Sequence, residues 1–442
     1  MLLYDIKNGQ YDHAANDSGI WTKLNRAKSQ LDGPFMRNPN AARTVINMLD
    51  PFGECKRRLS TVTSYAVSRA WMKCYELDIH FGLIRPDTRV WDNCAFPGMF
   101  IAAHNHISAT LYQKPVDWVA SSLYGSVESL PDTYGLYSNY RSKWLMNSHN
   151  DGNVCFSNNL RDFQRQLGRT ISLYTSDLGI DVSNNYNDQE SQHVAAHYGQ
   201  SVAGLLTLMP GGDFVVKNFT FADPRTVSLI RRLVSLFAEF YICKPATSSI
   251  ANSEVYFVGK RFLGITDRMC DDLLAPMPVE ETRGGADTGA DIVHGNIMFA
   301  ATDIYTRQIK ALQTYAAILN EYAALDLAIP RNKKIIRQAI DRTYHHAMGT
   351  SPDIALKKWN RLYAVAKINA QYEIVKPGRP IHERPAFTSR RNKPAMPAAQ
   401  SQSQSLSSLA SSLASLPPLS ATTRAPQASH APATSHAPAT SR

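Results

Sequence analysis

Between residues 60 and 265, short apolar runs alternate with longer stretches whose apolar positions recur every three or four residues. Residues 89–94, 171–176, 213–219, 240–244 and 254–259 have the length and the β-branched or aromatic content of strands. Residues 63–81, 160–167, 190–209 and 226–239 read as the helices between them. Strand alternating with helix predicts an α/β layered sheet, in which ligands sit beyond the carboxyl ends of the strands. From Asp291 to Val375 the period is helical, with Ile297, Ile304, Ile309, Leu312, Tyr315, Leu319 and Tyr322 on one stripe. A break at Pro330 and a turn at 349–352 divide that region into three predicted helices. Residues 266–290, rich in Gly and Asp toward their end, read as a linker, and residues 1–59 show no decisive period.

Composition changes this picture at the far end. Residues 386–442 are rich in Ser, Ala, Pro and Gln and end in the near-repeat SHAPATSHAPATSR. Such a segment buries too little apolar area to offset chain entropy, so it is predicted to be disordered. It holds five basic residues and no acidic one, half of the net charge of +10 of the whole 442-residue chain. The sign favours a polyanionic partner without naming it. Lys333, Lys334, Arg337, Arg342, Lys357, Lys358, Arg361 and Lys367 decorate the predicted C-terminal helices, either as a solvated face or as a surface for RNA. No run approaches the roughly 18 apolar residues of a membrane span, so no membrane partner is expected. The first residues lack the basic-then-apolar layout of a signal peptide. Six cysteines without C-x-x-C pairs argue for reduced thiols in a cytosolic compartment and against a metal knuckle.

Several short segments carry candidate chemistry. Asp92 ends an apolar run and is followed by Asn93-Cys94-Ala95-Phe96-Pro97-Gly98, a turn with small residues that lets a ligand approach the backbone. Asp177 closes a second run, where an acid either faces a ligand or caps the next helix. After Pro210-Gly211-Gly212, the run Phe214-Val215-Val216 closes on Lys217, a reactive group or a snorkelling side chain. Glu254 opens a further buried-looking strand, and Lys73 lies within the helix Arg69-Ala70-Trp71-Met72-Lys73.

The order of these segments resembles the FtsJ-type family of S-adenosylmethionine-dependent RNA ribose 2′-O-methyltransferases. That family's R-A-W-x-K, D-x-x-A-x-P-G, S-D, L-x-P-G-G-x-F-V-V-K and K-P-x-S-S-x-x-x-S-E-V-Y patterns are matched at 69–73, 92–98, 176–177, 208–217 and, nearly, 244–256. Phrases such as Trp118-Val119-Ala120-Ser121-Ser122-Leu123-Tyr124 and Tyr134-Gly135-Leu136-Tyr137 look most like the branch of nucleocytoplasmic large DNA viruses, related to eukaryotic cap methyltransferases. The resemblance implies a Rossmann-like methyltransferase sheet over 60–265, after an N-terminal extension at 1–59. A helical C-terminal region at 291–385 and the tail then follow.

The same resemblance implies a tetrad of Lys73, Asp177, Lys217 and Glu254, with Lys217 as base. A lysine serves as base only when its pKa falls below about 10.4, and a second ammonium nearby, here Lys73, is one cause of such a fall. Asp92, Ala95, Phe96, Pro97, Gly98, Asn153 and Asp177 are the implied contacts of S-adenosylmethionine, and no metal is implied. Cys94 and Met99 replace glycines of the family loop. Ser121-Ser122-Leu123 lacks the acid that commonly holds the cofactor ribose, and Asn153 replaces an acid of the adenine segment. The implied substrate is RNA, capped viral mRNA at its cap-proximal nucleotide, in the host cytoplasm beside viral capping or transcription machinery. Methylation of structured RNA, or a non-catalytic RNA-binding scaffold, are the alternatives. Tyr134, Tyr137, Tyr140 and Trp144, interleaved with Arg141 and Lys143, either stack a cap base or pack.

Overall fold

A computed structural model describes residues 1–376 apart from 51, 180–188, 222, 276–287, 323–324, 326–328 and 349–351. The predicted disordered tail lies outside the described residues. The chain opens with β1 (Leu2–Asp5) and four helices: α1 (Ile20–Ser29), α2 (Asp32–Arg37), α3 (Pro39–Met48) and α4 (Gly53–Thr63). Then follow α5 (Arg69–Phe81), β2 (Arg89–Asn93), α6 (Met99–Tyr112), β3 (Asp117–Ala120), α7 (Tyr124–Ser129), α8 (Leu136–Asn139) and α9 (Ser157–Leu167). The sheet is completed by β4 (Ile171–Ser176), α10 (Gln189–Thr207), β5 (Leu208–Asn218), α11 (Pro224–Leu236), β6 (Phe237–Lys244) and β7 (Val255–Phe262). Four helices close the described chain: α12 (Asp267–Leu274), α13 (Thr288–Tyr322), α14 (Pro330–Met348) and α15 (Pro352–Leu362).

The seven strands form one sheet in the order β1-β6-β7-β5-β4-β2-β3. β3, β2, β4 and β5 run parallel, whereas β7 is antiparallel to both β5 and β6, and β1 antiparallel to β6. Parallel neighbours bring Asn93 level with Ser176, so the loops that follow β2 and β4 open side by side. Within β5 the register jumps from Ile171↔Leu208 to Leu173↔Asp213; the Pro210-Gly211 turn loops out to solvent there, with Gly211 at φ +81°. The turn read from the sequence is thus a bulge inside the strand.

Both faces of the sheet are covered, as strands buried on two sides require. On one face α9, α10, α11 and α12 pack with α1 and α13 around Trp91, Tyr174, Phe214 and Phe257. On the other, α5 and α6 pack with Trp359 and Tyr363 and with Ile374 and Val375 around Leu173, Val215 and Val258. The helical C-terminal region therefore contributes to both layers. Two expectations are corrected. The N-terminal residues without a period supply an edge strand, with Leu2 opposite Lys244, and Ile20, Leu24 and Ala27 join the core. The first part of the expected linker is the helix α12, whose Cys270, Leu273 and Leu274 are buried. The basic residues of α14 and α15 named above, and Lys367, are solvent-exposed.

Candidate active site

The loop after β2 turns sharply over the strand ends. Cys94 adopts φ +57° and Gly98 φ +105°, and the Phe96–Pro97 peptide is cis. The Ala95 amide donates to Ser121 O (3.0 Å), and the Ser121 amide to Asp92 O (3.1 Å), which ties the loop to the end of β3. Phe96 meets Tyr137 and Trp144 edge-on, and Tyr140 meets Trp118. Of the two alternatives, packing holds for Tyr134 and Trp144, which are buried behind this loop, while Tyr137 and Tyr140 are half-buried.

Asp92 has a different surrounding from the one its implied cofactor contact suggests. Its carboxylate is wholly buried and accepts the Thr175 hydroxyl (2.7 Å). Burial pushes its pKa up, to about 7, against the pull of His104 and Thr175. It supports the loop from below and does not present its charge outward. Beneath it, burial opposes the charge of His104, but Asp78, 2.7 Å from Nδ1, outweighs burial and raises the imidazole pKa. Asn153, in the segment before α9, is half-buried; its Oδ1 accepts the Cys155 amide (3.0 Å), and its own amide donates to Asp151 Oδ1 (2.9 Å). Gly152 beside it, at φ +79°, lies so close to Ser122 that a Cβ would sit 1.8 Å from that carbonyl oxygen, a position only glycine fills.

The four residues of the implied tetrad come together from four elements. Lys73 projects from α5, started by the Ser68 side-chain cap on Trp71 and ended by Gly82 at φ +58°. Asp177 follows β4, Lys217 is the penultimate residue of β5, and Glu254 immediately precedes β7. Lys73 Nζ donates to Glu254 Oε2 at 2.8 Å; Lys217 Nζ lies 3.1 Å from Asp177 Oδ1 and donates to Asp177 O at 3.0 Å. Tyr256, on β7, joins the two pairs: its hydroxyl donates to Asp177 Oδ1 at 2.7 Å, and Lys73 Nζ lies 5.8 Å from its ring centroid.

The electrostatics are those of a buried network. Burial disfavours the Glu254 carboxylate, but Lys73, Lys217 and Lys244 overcome it and hold its pKa below the ordinary value. Burial likewise opposes the Lys73 ammonium, and Glu254 and Asp177 outweigh that, raising its pKa. Each lysine thus has a carboxylate of its own. The four side chains named from the resemblance are arranged as two ion pairs, Lys73–Glu254 and Lys217–Asp177. Burial, then the charges of Asp177 and Glu254, keep the Tyr256 phenol protonated far above its ordinary value. Tyr256 and Lys244 lie inside the K-P…S-E-V-Y pattern, the only signal the sequence held for them.

A parallel α/β sheet with an inserted antiparallel β7, and charged side chains gathered beyond its strand ends, defines a Rossmann-like methyltransferase fold. Residues 66–262 match the family model described as FtsJ-like methyltransferase. The chain is 36% identical over 258 residues to "Probable methyltransferase EP424R" of African swine fever virus, which covers 54% of this chain and 60% of that protein. It is 34% identical over 211 residues to protein L511 of Acanthamoeba polyphaga mimivirus, covering 45% of this chain and 26% of that one. A mouse cap-specific mRNA (nucleoside-2′-O-)-methyltransferase 2 is 31% identical over 219 residues, 46% of this chain and 28% of the mouse protein. The chain thus spans less than two thirds of the length of each of these relatives.

Proposed function

We propose that this protein transfers a methyl group from S-adenosylmethionine to a ribose 2′-hydroxyl of RNA, at the cap-proximal nucleotide of a viral mRNA. The observation that carries the reading is the pair of crossed ion pairs, Lys73–Glu254 and Lys217–Asp177, at the mouth of the loop after β2. The residues present fit the cofactor. The loop after β2 takes left-handed backbone at Cys94 and Gly98, and a Cβ at Gly98 or Gly152 would collide with Leu136 or with the Ser122 carbonyl, so backbone rather than side chain lines a cradle beyond the ends of β2 and β3. Ala95, Phe96, Pro97 and Gly98 on that loop, with Asn153 and Asp177, are the residues that would hold it. Bound there, it supplies an electrophilic methyl on a positively charged sulfur.

Lys217, in its neutral form, is placed to accept the proton of the ribose 2′-hydroxyl, and a cofactor held there would yield its methyl with the carbon–sulfur electron pair leaving on a neutral thioether. Asp177 orients Lys217 through the 3.1 Å contact, and Glu254 holds Lys73 where it can donate to the ribose oxygen. Alignment of this kind lowers a barrier by several kcal/mol. The mouse relative, by its name a cap-specific mRNA 2′-O-methyltransferase, supports the choice of capped RNA. The setting we propose is the cytoplasm of an infected cell, beside capping machinery.

Labelled methyl transfer to capped RNA, comparing wild type with Lys217→Ala, tests the reading. Loss of incorporation in the variant is expected, and equal incorporation refutes it. Equal activity on uncapped structured RNA would move the substrate away from the cap, and calorimetry showing no S-adenosylmethionine binding would leave a scaffold.

A further inference from the structure

The segment from Lys244 to Glu254 holds polar groups that the proposed reaction leaves unused. Lys244, the last residue of β6, is fully buried. Its Nζ donates to Asn252 O (2.8 Å), Asn252 Oδ1 (2.9 Å) and Glu254 O (2.8 Å). Burial pulls the Lys244 pKa down, to about 7, against the pull of Glu254; below that pH three oxygen acceptors use all three N–H bonds of the ammonium. Ser248 Oγ donates to Glu254 Oε1 at 2.7 Å, while Lys73 occupies Oε2. Each carboxylate oxygen therefore has its own donor, and the carboxylate plane is fixed.

The intervening turn is fastened to the helix that carries Lys73. Glu76, three residues beyond Lys73 on α5, accepts the Ala246 amide (2.6 Å), the Thr247 amide (3.2 Å) and the Thr247 hydroxyl (3.0 Å). Arg69, one turn earlier, donates to Thr247 O. Glu254 precedes β7, outside the paired register that begins at Val255, so the ladder does not fix it. Lys244 does so from β6.

We propose that Lys244 and Ser248 are positioning residues of the active site, a brace that sets the Glu254 carboxylate and, through it, the Lys73 ammonium against the ribose oxygen. The inference rests on the methyltransferase reading for its effect on rate, but not for its structural half. Ser248→Ala removes one donor and no packing volume of consequence. Ser248→Thr keeps the hydroxyl.

The test measures two things on the full-length protein. Steady-state methyl transfer to capped RNA should show Ser248→Ala losing about tenfold in kcat, the scale of losing a partner that orients a reactive group, with KM for RNA unchanged. Ser248→Thr should restore it, and Lys244→Met should lose more. Side-chain nitrogen NMR of labelled lysine at pH 6, below the Lys244 pKa, assigned with Lys73→Met and Lys244→Met, should show slowly exchanging ammonium signals for both residues. The Lys73 signal should disappear in Ser248→Ala and return in Ser248→Thr. An active wild type with unchanged kcat and an unchanged Lys73 signal in Ser248→Ala overturns the brace. If wild type transfers no methyl while the Lys73 signal responds as stated, the methyltransferase reading fails and the brace stands.

Discussion

Replacing Lys73 by Met strips the cation from a carboxylate that is almost wholly buried. Removing one partner of such a pair costs about 3–5 kcal/mol, because the other charge is left without compensation. Glu254 keeps the Ser248 hydroxyl and the nearby charges of Lys217 and Lys244, which offset part of that, so about 2–3 kcal/mol is expected at neutral pH. In a chain of this size each kcal/mol moves the melting temperature by about 2 °C, giving a fall of about 4–6 °C. Glu254→Gln alone leaves Lys73 buried beside a neutral amide, and the double variant removes both charges. Differential scanning calorimetry of wild type, both single variants and the double closes the cycle, with a coupling of about 1–3 kcal/mol expected between residues in direct contact. The pH dependence fixes the sign. The folded-state pKa of Glu254 is depressed, so its contribution is present above the ordinary value of 4.5 and lost as pH falls through the lowered one. The gap between wild type and Lys73→Met should therefore narrow below pH 4.5. Additive losses in the cycle, or a gap that widens in acid, refute the buried-pair account.

Tyr256→Phe removes the hydroxyl that holds Asp177 and should lower kcat by about tenfold and the melting temperature by about 3–6 °C, since a single hydrogen bond to a charged group is worth about 1.5–3 kcal/mol; unchanged kcat would remove Tyr256 from the site. Gly152→Ala forces a Cβ against the Ser122 carbonyl at a positive φ and should lower the melting temperature and weaken S-adenosylmethionine binding in calorimetry; a wild-type binding constant would separate this turn from the cofactor. The raised pKa of His104 means that the His104–Asp78 pair contributes fully below 6.5, a contribution lost as pH rises through the raised value. Asp78→Asn should flatten that alkaline slope in pH-dependent thermal unfolding, and an unchanged slope would show that the pair does not titrate.

The parallel strands β2, β4 and β5 and the helices α5, α9 and α10 were legible because each carries its own period. What failed to show has physical reasons. α6 is buried along Met99–Ala109, with His104, Asn105 and His106 inside, so it offers no polar face for a helical period to mark. β3 spans four residues and β1 pairs with a strand far away in sequence, a contact no local pattern encodes. At the site, residue types identified the acids and lysines as candidates, but not their partners. That Lys73 lies on Glu254 depends on how α5 sits against the segment between β6 and β7, and that Lys217 lies on Asp177 depends on the pairing of β5 with β4, which only the assembled sheet determines.

The position of β7 has a consequence for the newly made chain. It is the last strand in sequence, yet it lies between β5 and β6, both already synthesised, and it brings Glu254 and Tyr256 with it. Until that strand slots between its two neighbours, Lys73 lacks both Glu254 and the Tyr256 ring, and Asp177 has Lys217 without the Tyr256 hydroxyl. A ribosome-bound fragment ending before β7 would therefore be inert however well its earlier strands had formed, and competence would arrive late and all at once, with a long-range closure of the kind that slows folding.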